Sequence, residues 1–244
     1  ASAKFGQFAD RMLFTETGLE QATRLRVAAL HAGRFAAAGL EHVADLGCGI
    51  GGDAMAMAAL DLRVTAVERD EVTAALAAYN LAPWASAHVV HGDLTAIDLD
   101  GVDGIWLDPA RREGARRLAD PGDWSPRLDT ALELARRRPA GIKLGPGMDR
   151  ALLPDSGEAQ WVSVGGDVVE LVLWSGSLAR PNVGRAALVL GADDSAHELT
   201  AERDSEDAAV GELGDWVYEP DGAVIRARLI GLLADQLGGR MLDP

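Results

Sequence analysis

Apolar residues along this 244-residue chain are spaced in three regimes, and each predicts a different kind of structure. Over residues 1–39, Phe8, Met12, Leu13, Leu25, Val27, Leu30 and Phe35 roughly follow a helical period, interrupted at "FTETG". Thr17, with Glu20 three residues on, reads as a capping box for the helix after that break. From residue 43 the pattern becomes short, mostly apolar runs at 43–46, 62–67, 88–90, 104–107 and 141–144, with helical patterns around 53–60, 71–80 and 128–137. Short apolar runs alternating with helices predict strands covered on both faces, hence a parallel, doubly wound α/β sheet. After Pro154 the rhythm changes again: "QWVSV" and "VVELVLW", joined by "GGD", predict a terminal antiparallel hairpin. "ARPN" at 179–182 reads as a linker, followed by a strand at 186–190, an acidic stretch and an amphipathic helix over 221–237. The expected organisation is an N-terminal helical extension (1–40), the α/β domain (41–178) and a small α+β appendage (184–244).

Composition narrows this picture. At 48% hydrophobic residues, the chain has enough apolar surface for one large domain and an appendage. No apolar run approaches the roughly 20 residues that span a bilayer. The opening "ASAKFGQFAD" has no basic segment leading into an apolar one, so no secretory leader is expected there. Cys48 is the one cysteine; it excludes an internal disulfide and favours a cytoplasmic setting. A formal charge of −15 argues against nonspecific nucleic-acid binding by the whole chain. The charge is uneven, however. Between Ala110 and Arg150, ten basic residues face six acidic ones, whereas the chain from Gly191 onward is strongly acidic. The middle of the chain is suited to phosphates and the tail is not; a plain solvated surface is the alternative for both.

The chemistry concentrates where strands end. "VADLGCGIGGDAMAMAAL" (43–60) passes from a strand through Gly47, Gly49 and Gly52, in a G-x-G-x-x-G pattern, into a helix. Glycine permits a sharp turn and lets a ligand approach where a Cβ would clash, but the pattern alone does not name the ligand. Three acids narrow the choice. Asp45, two residues before the first glycine, suits a cationic group such as an amino-acid ammonium and weakens a nicotinamide-dinucleotide reading. Glu68 ends the second strand, where a carboxylate accepts both ribose hydroxyls. Asp93, in "HGD" after the third strand, suits the exocyclic amine of adenine. After the fourth strand comes "WLDPARR". His88 and His91 lack metal-ligand spacing, and no zinc signature or serine–histidine–acid set is visible.

On "DLGCGIGG", Glu68, "GD" at 92–93 and "DP" at 108–109, the chain resembles the class I S-adenosylmethionine-dependent methyltransferases, whose fold is Rossmann-like. "KFGQFADRMLFTETGLEQAT", "DPARR", "DPGDWSP" and "EPDGAVIRARLIGLLADQLG" resemble, nearly end to end, a bacterial methyltransferase family with a C-terminal THUMP-like domain. That family is related to the trimethylguanosine synthase group. The resemblance implies S-adenosyl-L-methionine as cofactor, contacted by Phe14, Thr15, Asp45, Gly47, Gly49, Glu68 and Asp93. It implies Asp108 and Pro109 as the catalytic motif, RNA (rRNA or tRNA) as a partner, and no membrane or metal. It makes residues 184–244 a partial THUMP-like domain, so that this chain is expected to be a piece of a longer protein.

In the amino-methylating branch, a D/N/S-P-P-aromatic motif aims an exocyclic amine at the methyl donor. Here the motif reads Asp108-Pro109-Ala110-Arg111, without the second proline or the aromatic. Arg111 through its guanidinium plane, or Trp124 from the following loop, would take the stacking role. The leading expectation is methylation of an RNA base amine. Methylation of a small molecule or a protein, and a non-catalytic cofactor-binding module, stand as alternatives.

Overall fold

Why the apolar runs become strands is visible in their burial. In this computed structural model, which describes residues 1–242 except 111, 114, 115 and 119, β1 (His42–Leu46) is buried from Val43 onward, and β2 (Arg63–Glu68) from Val64 to Val67. β3 (Ala87–His91) is partly exposed, whereas all four residues of β4 (Gly104–Leu107) are buried. Two-residue strands β5 (Arg112–Glu113) and β6 (Arg116–Arg117) form a separate antiparallel pair, and β7 (Ala140–Leu144) is again fully buried. The parallel pairings run β7–β4–β1–β2–β3. The chain leaves β1 toward β2 and β3, then returns to β4 on the other side. The order therefore reverses between β1 and β4, the place where open α/β sheets bind ligands at their carboxyl ends.

Contacts divide the chain into two units, Ala1–Ile142 with Gly176–Leu178, and Lys143–Ser175 with Ala179–Pro244. In the first, the helices are α1 (Ser2–Phe5), α2 (Glu16–Gln21), α3 (Leu25–Ala37), α4 (Gly52–Ala58), α5 (Glu71–Leu81) and α6 (Leu128–Arg137). Phe5, Phe35, Met55, Met57, Ile105 and Trp106 are among the side chains that fill its core. Each such burial stabilises the fold by about 1.5–3 kcal/mol. Every residue of α4 is buried, as its alanine- and methionine-rich sequence requires. Helix α2 starts two residues earlier than the Thr17 capping box predicts. Its cap is Thr15, whose Oγ1 accepts from Gly18 N at 3.0 Å, in the N-cap-to-N3 geometry.

In the second unit, β8 (Glu158–Val164) and β9 (Asp167–Ser175) form the expected antiparallel hairpin, turning at Gly165 and Gly166 with φ of 60° and 89°. Two positive φ angles in succession are what a tight right-twisting hairpin turn needs. β10 (Arg185–Leu190) lies parallel to β8, and β11 (Ala196–Ala201) antiparallel to β10. The acidic stretch therefore contains a strand that its composition hides. The helix expected over 221–237 is two helices, α7 (Gly222–Ala227) and α8 (Ile230–Leu237). The break is at Arg228, in the left-handed conformation at φ 59°, and its carbonyl accepts from both Ser205 N (2.9 Å) and Ser205 Oγ (3.0 Å). A neighbouring segment thus takes the carbonyl that a continuous helix would use. The whole is an α/β fold with a mostly parallel sheet and a terminal antiparallel hairpin. Among the described residues, no helix is long and apolar enough to cross a membrane.

Candidate functional site

The carboxyl ends of β1, β2 and β4 converge on the glycine loop. Val67 O, next to the end of β2, accepts from Gly47 N at 2.9 Å and Cys48 N at 3.0 Å, so the loop folds back over the neighbouring strand. Gly47 has φ of 94°, and a Cβ built on it would lie 3.5 Å from Asp108 O. The turn needs the left-handed region, and it brings the glycine loop into contact with the "DP" motif. Gly49 has φ of 54°, and its N donates to Glu68 Oε2 at 3.1 Å. A Cβ at Gly49 would meet nothing within 4 Å beyond its chain neighbours, so the space beside this residue is open.

Each acid occupies the strand end that the sequence predicts. Asp45 is almost fully buried (1% exposed), in register with Ala66 of β2 and Trp106 of β4. Glu68 is half-buried; besides Gly49 N, its Oε1 accepts from Asp70 N at 2.9 Å. Asp93 is exposed and caps a short 3₁₀ turn, its Oδ1 accepting from Thr95 Oγ1 (2.6 Å) and Thr95 N (2.8 Å). Those hydrogen bonds hold its carboxyl below the usual range. The thiol of Cys48 is pushed well above its ordinary pKa by burial first, then by the Asp45 and Glu68 carboxylates. Both effects disfavour the thiolate, the nucleophilic form.

Asp108 directly follows β4, and Pro109 behind it is buried. Ala110, at the place of the missing second proline, pairs with Ser125 in both directions, Ala110 N to Ser125 O at 2.7 Å and Ser125 N to Ala110 O at 3.1 Å. Trp124 is 8% exposed, and its Nε1 donates to Leu118 O at 3.2 Å. Arg111 lies outside the described residues. Phe14 is half-buried and Thr15 exposed, next to Leu13 in the segment that leads into α2.

Three features of this region escape sequence reasoning. Asn80 is buried on α5; its Oδ1 accepts from Leu13 N (2.7 Å), and its Nδ2 donates to Leu13 O and to Ile50 O (both 2.9 Å). Asp53, in the first turn of α4, accepts from Thr23 Oγ1 at 2.7 Å and pairs with His31 Nδ1 at 2.8 Å. The His31 ring lies 4.3 Å from that of Trp106, two residues before Asp108. Arg69 Nη1 donates to Ser125 Oγ at 2.8 Å, linking the end of β2 to the loop that pairs with Ala110. The available signal was a polar residue in an otherwise apolar helix, Asn80 in "ALAAYNLA" and Asp53 in "GGDAMAMAAL". Among the described residues, no cluster of histidine, cysteine and acidic side chains could hold a metal ion.

Comparison with known proteins sharpens this. No family model matches the chain. Two proteins from Mycobacterium tuberculosis strains, CDC 1551 and H37Rv, are each 34% identical to it over 254 residues. The alignments span the whole of this chain and 68% of theirs. Both are described as uncharacterized S-adenosylmethionine-dependent methyltransferases. Among solved structures, a Porphyromonas gingivalis protein described as a methyltransferase superposes with a TM-score of 0.70 at 23% identity, over 93% of this chain. The match covers only 60% of that protein's chain, and it shows a shared fold.

Proposed function

The chain belongs to the S-adenosylmethionine-dependent methyltransferases, and we propose that within this family it methylates an exocyclic amine of an RNA base, acting in the cytoplasm. One observation carries the proposal: the Asp108-Pro109 motif leaves β4 against the glycine loop, with Gly47 close under Asp108 O. The donor and acceptor sides of an in-line transfer thus meet at one strand end.

The residues fit the cofactor. In this reading Gly47 and Gly49 give a cradle free of Cβ atoms, Asp45 takes the ammonium, Glu68 the ribose hydroxyls, Asp93 the adenine amine, and Phe14 and Thr15 cover the site. Bound there, S-adenosylmethionine supplies an electrophilic methyl group. Asp108 accepts a hydrogen bond from the acceptor amine and aims its lone pair, and Pro109 fixes the backbone beside it. Orientation of this kind is most of what an in-line displacement requires. The arginine-rich segment after Ala110, and the resemblance of residues 184–244 to part of a THUMP-like domain in a family related to trimethylguanosine synthases, support RNA as the partner. Arg111 belongs to that acceptor side.

Trp124 favours a second reading. Its buried ring, bonded to Leu118 O, is not offered as a stacking surface, which suits a small-molecule or protein acceptor.

Nucleoside mass spectrometry on RNA from a strain lacking the gene separates the two. A methylated nucleoside should disappear, return with the wild-type gene and stay absent with Asp108→Ala, which should still bind S-adenosylhomocysteine. RNA identical in all strains would favour the second reading. Loss of cofactor binding in Asp108→Ala would remove its acceptor role.

A further inference from the structure

Asn80 sits on α5, sixty-seven residues from Leu13 in sequence, yet satisfies both main-chain groups of Leu13, as a neighbouring strand would. Leu13 precedes α2 and lies outside regular structure, with a largely exposed side chain. The same amide also donates to Ile50 O, between Gly49 and Gly51 of the glycine loop. Thus one buried side chain (4% exposed) ties the entry segment to the cofactor loop. The far end of the segment reaches the same loop directly. A Cβ built on Gly18 would come within 2.8 Å of Ile50 Cγ2 and 3.0 Å of Thr15 Oγ1. The helix that carries Asn80 braces the loop too, since a Cβ on Gly51 would lie 3.4 Å from Leu81.

Asparagine suits this place for a chemical reason. The site needs one acceptor for Leu13 N and donors for two carbonyls, on a short side chain. Aspartate would put a carboxylate against two carbonyl oxygens, and leucine would leave three main-chain groups without their partner. Leaving a buried polar group unsatisfied costs about 1–3 kcal/mol, and here the groups belong to the two segments that flank the cradle.

We infer that Asn80 is a positioning residue for the cofactor: through Leu13 and Ile50 it locks the 13–18 segment onto the glycine loop, and this lock slows release of the bound S-adenosyl ligand. The inference rests on the glycine loop being the cofactor cradle. Changes of affinity at a contact surface fall mostly on dissociation, so the loss of this lock should appear in koff.

The test uses S-adenosylhomocysteine as the probe, with affinities from calorimetry and rate constants from surface plasmon resonance, on variants shown to be folded by circular dichroism. For Asn80→Ala, the Kd should rise roughly 10-fold or more. The change should lie in koff, with kon within about two-fold of wild type. Gly18→Ala, which presses a methyl group onto Ile50 Cγ2 and Thr15 Oγ1, the contact between the segment and the loop, and leaves Asn80 intact, should reproduce the faster release. A folded Asn80→Ala with wild-type koff, or one that loses affinity through kon alone, overturns the inference while leaving the cofactor assignment standing. If Asn80→Ala does not fold, Gly18→Ala decides: faster release supports the lock, and wild-type release overturns it. A wild-type chain that binds no S-adenosylhomocysteine overturns the cofactor assignment and this inference with it.

Discussion

At the scale of a side chain, Glu68 is the residue to which the proposed function gives two purposes. Its two oxygens accept from Gly49 N and Asp70 N, which fixes the glycine loop to the end of β2 before any ligand arrives. A carboxylate has about four acceptor positions, so the same group can still take the two ribose hydroxyls. Glu68→Ala removes both functions. We expect S-adenosylhomocysteine affinity to fall by roughly 1–3 kcal/mol, a factor of about 5 to 150, measured by calorimetry. Melting should also occur at a lower temperature, because two loop N–H groups lose their acceptor. Asp45→Ala tests the other side of the cradle in the same assay. If neither variant changes affinity, the cofactor does not sit at the ends of β1 and β2. The Asp108 prediction differs in kind: that residue is assigned to the acceptor, so its loss should stop turnover and spare cofactor binding.

At the scale of elements, the second unit is held by a cross-strand ion network that pattern reading did not reveal. Arg180 donates to Glu158 of β8 through Nη2 (2.6 Å), Nε (3.1 Å) and its main-chain N (3.0 Å). It also reaches Glu198 of β11 through Nη1 (2.6 Å) and Nη2 (2.9 Å). Burial works against the guanidinium charge, but the hydrogen bonds to Glu198 and Glu158 hold its pKa above the ordinary value. Glu158 is fully buried, so removing Arg180 leaves a buried carboxylate without its guanidinium. Breaking buried pairs costs about 3–5 kcal/mol, and partial exposure of Arg180 reduces this to about 2–4 kcal/mol for Arg180→Ala. Denaturant unfolding measures it, and a loss under about 1 kcal/mol would mean that packing alone holds β11 in place. β11 itself explains why the sequence hides it. It pairs on one side with β10 and has mostly exposed positions, so "AHELTA" carries polar residues where a central strand carries valine or isoleucine. The central strands were legible because both of their faces are buried, and the acids because each stands at or just beyond the end of an apolar run. Asn80, Asp53 and Arg69 were not legible, since their roles depend on partners 67, 22 to 30 and 56 residues away. The C-terminal helix break was hidden for the same reason: the partner of the Arg228 carbonyl, Ser205, lies outside the helix.

At the scale of the whole molecule, the question is how a chain of net charge −15 would approach RNA. The total argues against long-range attraction to this chain, so binding here would rely on a local excess of cations close to the site. The segment after the acceptor motif has that excess. Its short hairpin β5–β6 carries Arg112, Arg116 and Arg117 within ten residues of Asp108. Arginine forks match phosphate oxygens, and each phosphate neutralised releases counterions, so the logarithm of affinity falls linearly with the logarithm of salt concentration. We expect an Arg116→Ala/Arg117→Ala double variant to bind RNA more weakly at low salt. Its slope should be shallower by about one unit per lost contact, whereas S-adenosylhomocysteine affinity should not change. The two quantities distinguish a lost RNA contact from a disturbed fold, because misfolding would weaken cofactor binding as well. Parallel slopes for wild type and variant would assign these arginines to solvent or to neighbouring acids. That outcome would favour a small molecule or a protein as the acceptor, in agreement with the buried ring of Trp124.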